Sequence, residues 1–88
     1  KYIATPEITK KVEDSTKFQT IEKAVNYFKQ KGYKVIDVDG ARVVFENGWG
    51  LIRASNTSPK ITIRYEAKNE EELAKIQEKF EECLKEVM

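Results

Sequence analysis

The chain contains no histidine, which leaves no serine–histidine or cysteine–histidine nucleophile and no histidine-ligated metal. A single cysteine, Cys83, rules out an internal disulfide. It lies on the apolar side of a helical pattern, where it reads as a small core residue and not as a nucleophile. The two prolines and four glycines are scattered, so no glycine-rich nucleotide loop is present. Charge of one sign is also missing. The 16 basic and 15 acidic residues leave a net charge of +1, too little to draw in nucleic acid or an anionic membrane. Tyr2, Tyr27, Tyr33 and Tyr65 are not gathered with basic residues into a stacking platform, and no basic stripe for an open sheet face is visible. Residues 1–12 hold no secretory apolar segment, and no apolar run approaches membrane-spanning length. The expectation is a soluble, cytoplasmic domain with neither membrane nor nucleic acid as partner.

Eighty-eight residues suffice for one domain with a single core. The chain begins with Lys1 and not Met, which suggests a domain cut from a longer protein, residues 1–6 being a tether that Pro6 holds extended. Residues 7–13 read as a short lead-in strand. Thr16-Lys-Phe-Gln19 has capping-box spacing, and Phe18, Ile21, Ala24, Val25 and Phe28 recur at helical intervals until Gly32, predicting a helix over residues 17–31. Asp39-Gly40 and Asn47-Gly48 are hairpin signals that separate predicted strands at 34–38, 41–46, 49–54 and 60–67. A second helix opens at Asn69, with Glu72 three residues on and Leu73, Ile76, Phe80, Leu84 and Val87 as its packing stripe. Glu71 with Lys75 and Glu81 with Lys85 are spaced for surface pairs. The order predicts an α+β fold, an antiparallel sheet of about four strands with two helices on one face.

The chemistry concentrates in residues 53–59, Arg-Ala-Ser-Asn-Thr-Ser-Pro, followed by Arg64. A phosphate is held by a planar guanidinium, short hydroxyl and amide donors, and backbone N–H groups turned inward, and this loop can supply all three. Asn56 tolerates a left-handed conformation that would let amides converge, and Pro59 fixes the exit. A polar hairpin loop without a ligand would use the same residue types. Arg64 suits either an anion or a cross-strand pair with Glu46. Trp49 either stacks on a sugar or covers the edge of the core, packing being the better reading. Asp37 and Asp39 flank a turn and are better explained as turn formers than as metal ligands.

With its flanks, Gly48-Trp-Gly-Leu-Ile-Arg-Ala-Ser-Asn-Thr-Ser-Pro-Lys-Ile-Thr-Ile-Arg-Tyr-Glu-Ala67 resembles the phosphate-binding loop of the α-D-phosphohexomutases, in particular the phosphomannomutase/phosphoglucomutase branch. The likeness extends to residues 14–21, to Asp39-Gly40 and to the helix opened by Asn69-Glu-Glu-Glu72. It implies the last of four domains, of TATA-box-binding-protein-like shape, a name that carries no implication of DNA binding. By resemblance, Arg53, Ser55, Asn56 and Thr57 contact the substrate phosphate that is not transferred, and Arg64 and Lys60 support them. Ser58 and Lys60 depart from the family pattern, in which many relatives carry Glu or Thr and an apolar residue. Lys60 either adds a cation beside the phosphate or projects into water. No catalytic residue and no metal or other cofactor is expected in this domain. The phosphoserine and Mg2+ would lie on other domains of a parent enzyme interconverting hexose 1-phosphate and 6-phosphate. The expected partners are that hexose phosphate and those domains, and the isolated domain would be inactive. The competing reading is a stand-alone regulatory module binding a phosphorylated metabolite.

Overall fold

The computed structural model describes residues 2–38 and 40–88. Six strands and two helices follow in the order β1 (Ile3–Ala4), β2 (Ile8–Lys11), α1 (Lys17–Gln30), β3 (Lys34–Ile36), β4 (Ala41–Phe45), β5 (Gly48–Ala54), β6 (Lys60–Ala67) and α2 (Glu70–Val87). All pairings are antiparallel, in the order β1-β6-β5-β4-β3, with β2 pairing the other half of the same β6 edge. The expected α+β architecture is present, with six strands among the described residues where about four were expected.

The core forms because strand and helix periodicities coincide. Along β6, Ile61, Ile63, Tyr65 and Ala67 are buried, while Lys60, Thr62, Arg64 and Glu66 alternate onto the opposite face. Ile21, Ala24, Val25 and Phe28 of α1 and Ile76, Phe80, Cys83 and Leu84 of α2 close over the buried face. Phe28 and Phe80 pack at 4.9 Å between ring centroids, and Tyr65 meets Phe80 edge-on at 5.3 Å.

Several local expectations give way to tertiary demands. Ile3–Ala4, inside the supposed tether, is a strand because β6 offers it free backbone groups opposite Ala67 and Glu66. Thr16 forms no capping box: its hydroxyl donates to the Glu13 carbonyl at 3.2 Å and caps nothing. Phe18 leaves the core, at 59% exposure. The β4–β5 turn centres on Glu46 and Asn47, since Gly48 already pairs with Phe45. Gly48 adopts no left-handed backbone and instead admits the close approach of Ile76 and the Glu66 carbonyl, where a Cβ would collide. Asn69 does cap α2, its side chain accepting from the Glu72 N–H at 2.9 Å. On that helix Lys75 pairs with Glu72 at 3.5 Å and not with Glu71.

Candidate functional site

The chain reverses between β5 and β6 at residues 55–59. Register places Arg53 opposite Thr62 and Arg64 opposite Leu51. Residues two apart on a strand share a face, so Lys60 and Arg64 are the two diagonal neighbours of Arg53, with Cα atoms about 7–8 Å away. Arg53 and Arg64 are exposed and Lys60 is half-buried, all on the side away from the helices. Three of the six predicted site residues are thereby gathered around Thr62 on one face.

The loop supplies the hydroxyls. Ser55 Oγ accepts from the Thr57 N–H at 3.3 Å and lies 3.5 Å from Thr57 Oγ1, so the two hydroxyls stand side by side. The turn is closed by Ser55 N–H to the Lys60 carbonyl at 3.0 Å and Lys60 N–H to the Ser58 carbonyl at 2.8 Å. Asn56 is exposed at the tip without a left-handed backbone, since no non-glycine residue described has positive φ. The left-handed turn expected at Asn56 is absent, and the N–H groups of Ser55 and Thr57 are bonded within the loop.

Arg53 and Asn56 also border a groove of about 770 Å³ between α1 and the β3–β4 turn. Phe18, Ile21 and Val25 form one wall and Val38 and Gly40 the other. Val38 is 83% exposed. Gly40 has φ +131 and passes against the Ile52 carbonyl and Arg53, a path closed to any residue with a Cβ. Asp37 pairs with Lys29 at 3.6 Å, and Asp39 lies outside the described residues. Among the described residues no three acidic or thiol groups come together, and none of their ion pairs involves Arg53, Lys60 or Arg64, the Glu46 pairing included.

Two features were invisible in the sequence. The open face of the sheet carries Lys11, Lys34, Arg42, Arg53, Lys60 and Arg64 against the single carboxylate of Glu66. The sequence hides this basic surface because strand alternation interleaves its members with core residues, and α2, with seven glutamates and three lysines, cancels them in the total. Trp49 belongs to the same face, with the Arg42 guanidinium 4.4 Å from its ring centre. The second feature is Lys17, only 4% exposed, whose ammonium lies 2.7 Å from Asp14 Oδ1 and donates to the Ser58 carbonyl at 3.2 Å. Cys83 is buried, and burial, with Glu86 nearby, pushes its thiol up to about 12, so it remains protonated and unreactive at neutral pH.

An antiparallel sheet backed by two helices, with a loop carrying a guanidinium and hydroxyls at one end, defines a small α+β domain. Residues 7–83 match the family model described as phosphoglucomutase/phosphomannomutase, C-terminal domain, and the chain belongs to that family. A phosphomannomutase/phosphoglucomutase of Pseudomonas syringae is 46% identical over 85 residues, 97% of this chain and 18% of that protein. A phosphoglucomutase of Neisseria meningitidis serogroup B is 39% identical over 89% of this chain and 17% of its own length. The crystal structure of a phosphoglucomutase/phosphomannomutase family protein from Burkholderia thailandensis superposes with a TM-score of 0.83 at 34% identity, covering 99% of this chain and 18% of the other. The chain thus spans about a fifth of the length of these relatives. No helix among the described residues is long and apolar enough to cross a membrane.

Proposed function

We propose that this chain is the phosphate clamp of a longer phosphohexomutase that interconverts hexose 1-phosphate and 6-phosphate, and that it grips the phosphate not being transferred. The observation that carries the reading is the placement of Arg53 between Lys60 and Arg64 on one sheet face, beside the adjacent hydroxyls of Ser55 and Thr57. The guanidinium of Arg53 would take two phosphate oxygens, the hydroxyls and the Asn56 amide a third, and Arg64 and Lys60 would add positive charge at either side. The rest of the open face adds a field of the same sign, which favours arrival of a doubly charged phosphate.

Such a clamp contributes by positioning. Binding energy from a part of the substrate that does not react aligns the hydroxyl that does. A donor set of cations and hydroxyls without grouped carboxylates suits an anion and not a divalent cation. By resemblance to the family, the phosphoserine and Mg2+ of the parent reaction would lie on its other domains. The groove beside Arg53, with exposed Phe18 and Val38 on its rims, is a surface on which such a domain would close, excluding water while the substrate is held.

The test is an amide-resolved NMR titration of the 88-residue chain with mannose 6-phosphate, with mannose as the uncharged control. Shifts at residues 53–60 and Arg64 with the phosphorylated sugar alone are expected, at an affinity on the order of millimolar because few contacts offset the cost of association. No shift at any ligand concentration would overturn an autonomous clamp.

A further inference from the structure

Lys17 sits where a lysine is least expected. It is 4% exposed, although an ammonium is rarely buried. It occupies the first position of α1, at the positive end of the helix dipole, and the first turn contains no acidic residue to offset it. An apolar side chain of the same length would fill the space without either penalty. Local rules broken together in this way point to a compensating role.

The geometry supplies one. Lys17 Nζ is held by Asp14 at 2.7 Å and donates to the Ser58 carbonyl at 3.2 Å, across 41 residues of sequence. Among the described residues, no other side chain from outside residues 55–59 hydrogen-bonds to that loop. The remaining fastenings are backbone bonds, Ser55 N–H to the Lys60 carbonyl and Val12 N–H to the Pro59 carbonyl, both 3.0 Å, and Lys60 N–H to the Ser58 carbonyl at 2.8 Å, so that Lys17 is the second donor to that carbonyl and the one that ties it to α1. Ser58 directly follows Thr57, so a bond that fixes the Ser58 peptide fixes the approach of the Ser55–Thr57 hydroxyl pair to Arg53.

We propose that Lys17 is a positioning residue: its buried ammonium, steered by Asp14, pins the loop from behind and sets the spacing of Ser55, Asn56 and Thr57 relative to Arg53. Its role in binding rests on the phosphate reading of that loop. Its role in ordering the loop does not. The ammonium bonds a backbone carbonyl and is not offered to the ligand.

The test compares Lys17→Met, which keeps the stem and removes the donor, with Asp14→Asn, which releases the ammonium by altering a side chain that is 72% exposed. Amide hydrogen exchange and the mannose 6-phosphate titration are measured on the 88-residue chain for both. In Lys17→Met, exchange at Ser55, Thr57 and Lys60 is expected to accelerate about tenfold while the amides of β5 and β6 hold their rates. The dissociation constant should rise about fivefold, with Asp14→Asn between the two. Loop exchange unchanged from the native chain, or accelerated by the same factor as the sheet, would overturn the proposal and leave Lys17 a merely structural lysine. If Lys17→Met fails to fold, Asp14→Asn decides by the same criterion. A native chain that never responds to mannose 6-phosphate would overturn the autonomous clamp, while the exchange rates would still decide the loop-ordering role.

Discussion

Arg53 projects exposed from the open face with Lys60 and Arg64 on its diagonals, and it is not part of the buried core. Charge-assisted hydrogen bonds contribute roughly 1.5–3 kcal/mol each, and 1.4 kcal/mol is a factor of about ten in affinity. Arg53→Ala should therefore raise the dissociation constant for a sugar phosphate at least about tenfold, while its unfolding free energy stays within about 0.5 kcal/mol of the native chain. Titration and urea unfolding check the two halves separately, and an unchanged affinity would remove Arg53 from the site. At this scale the sequence was most legible where chemistry is local. The turn at Ser55 and Thr57 could be read from a seven-residue stretch because a hydroxyl that accepts from the amide two residues on is a local arrangement, whereas the phosphate role of Arg53, Ser55 and Thr57 is what the family resemblance implies. Lys17 was not legible. A lysine opening a helix ordinarily reads as solvated, and the partner that buries it, the Ser58 carbonyl, is a backbone atom with no signature of its own.

At the scale of elements, β5 shows how a strand can be shaped by the helix above it. Gly50 lies on the buried side, pairs with Val43 and Tyr65, and faces the Phe80 ring so closely that a Cβ would collide with it. Phe80 has no room to retreat, being fully buried among Phe28, Phe45 and Tyr65. Gly50→Ala should consequently cost about 1–3 kcal/mol by overpacking, despite alanine's smaller conformational entropy in the unfolded chain. The expected signature is a lower urea midpoint with an unchanged slope. A stabilised variant would mean that α2 shifts freely on the sheet. The β6 alternation and the α2 stripe were readable because each is a long run of one period. Short elements such as β1 were not, because two residues carry no periodicity and exist as a strand only through β6. Asn47-Gly48 did mark the β4–β5 hairpin, but the turn falls one residue earlier, on Glu46 and Asn47, because Gly48 answers to Ile76 across the core.

At the scale of the whole molecule, charge is separated into layers that a net value of +1 conceals. A cationic sheet face lies on one side, an acidic helix on the other, and the ionisable groups of the core lie beneath that helix. Burial, reinforced by Glu81, pushes Tyr65 from 10.0 up to about 12, and burial with Glu86 pushes Cys83 from 9.0 up to about 12. Both are acids whose neutral form the fold favours, so the folded state holds these protons more tightly than the unfolded chain. Their contribution is fully present below pH 9, where both states are protonated, and is lost as rising pH lets the unfolded chain ionise first. The urea midpoint should therefore fall steadily between pH 9 and pH 12, with Cys83 beginning the decline and Tyr65 steepening it above pH 10. A thiol reagent added at pH 8 should leave Cys83 unmodified in the folded chain and label it fully in urea. A flat midpoint across that range, or rapid labelling of the native protein, would show that α2 opens readily and that the layer between the acidic helix and the sheet is not the closed core its packing describes.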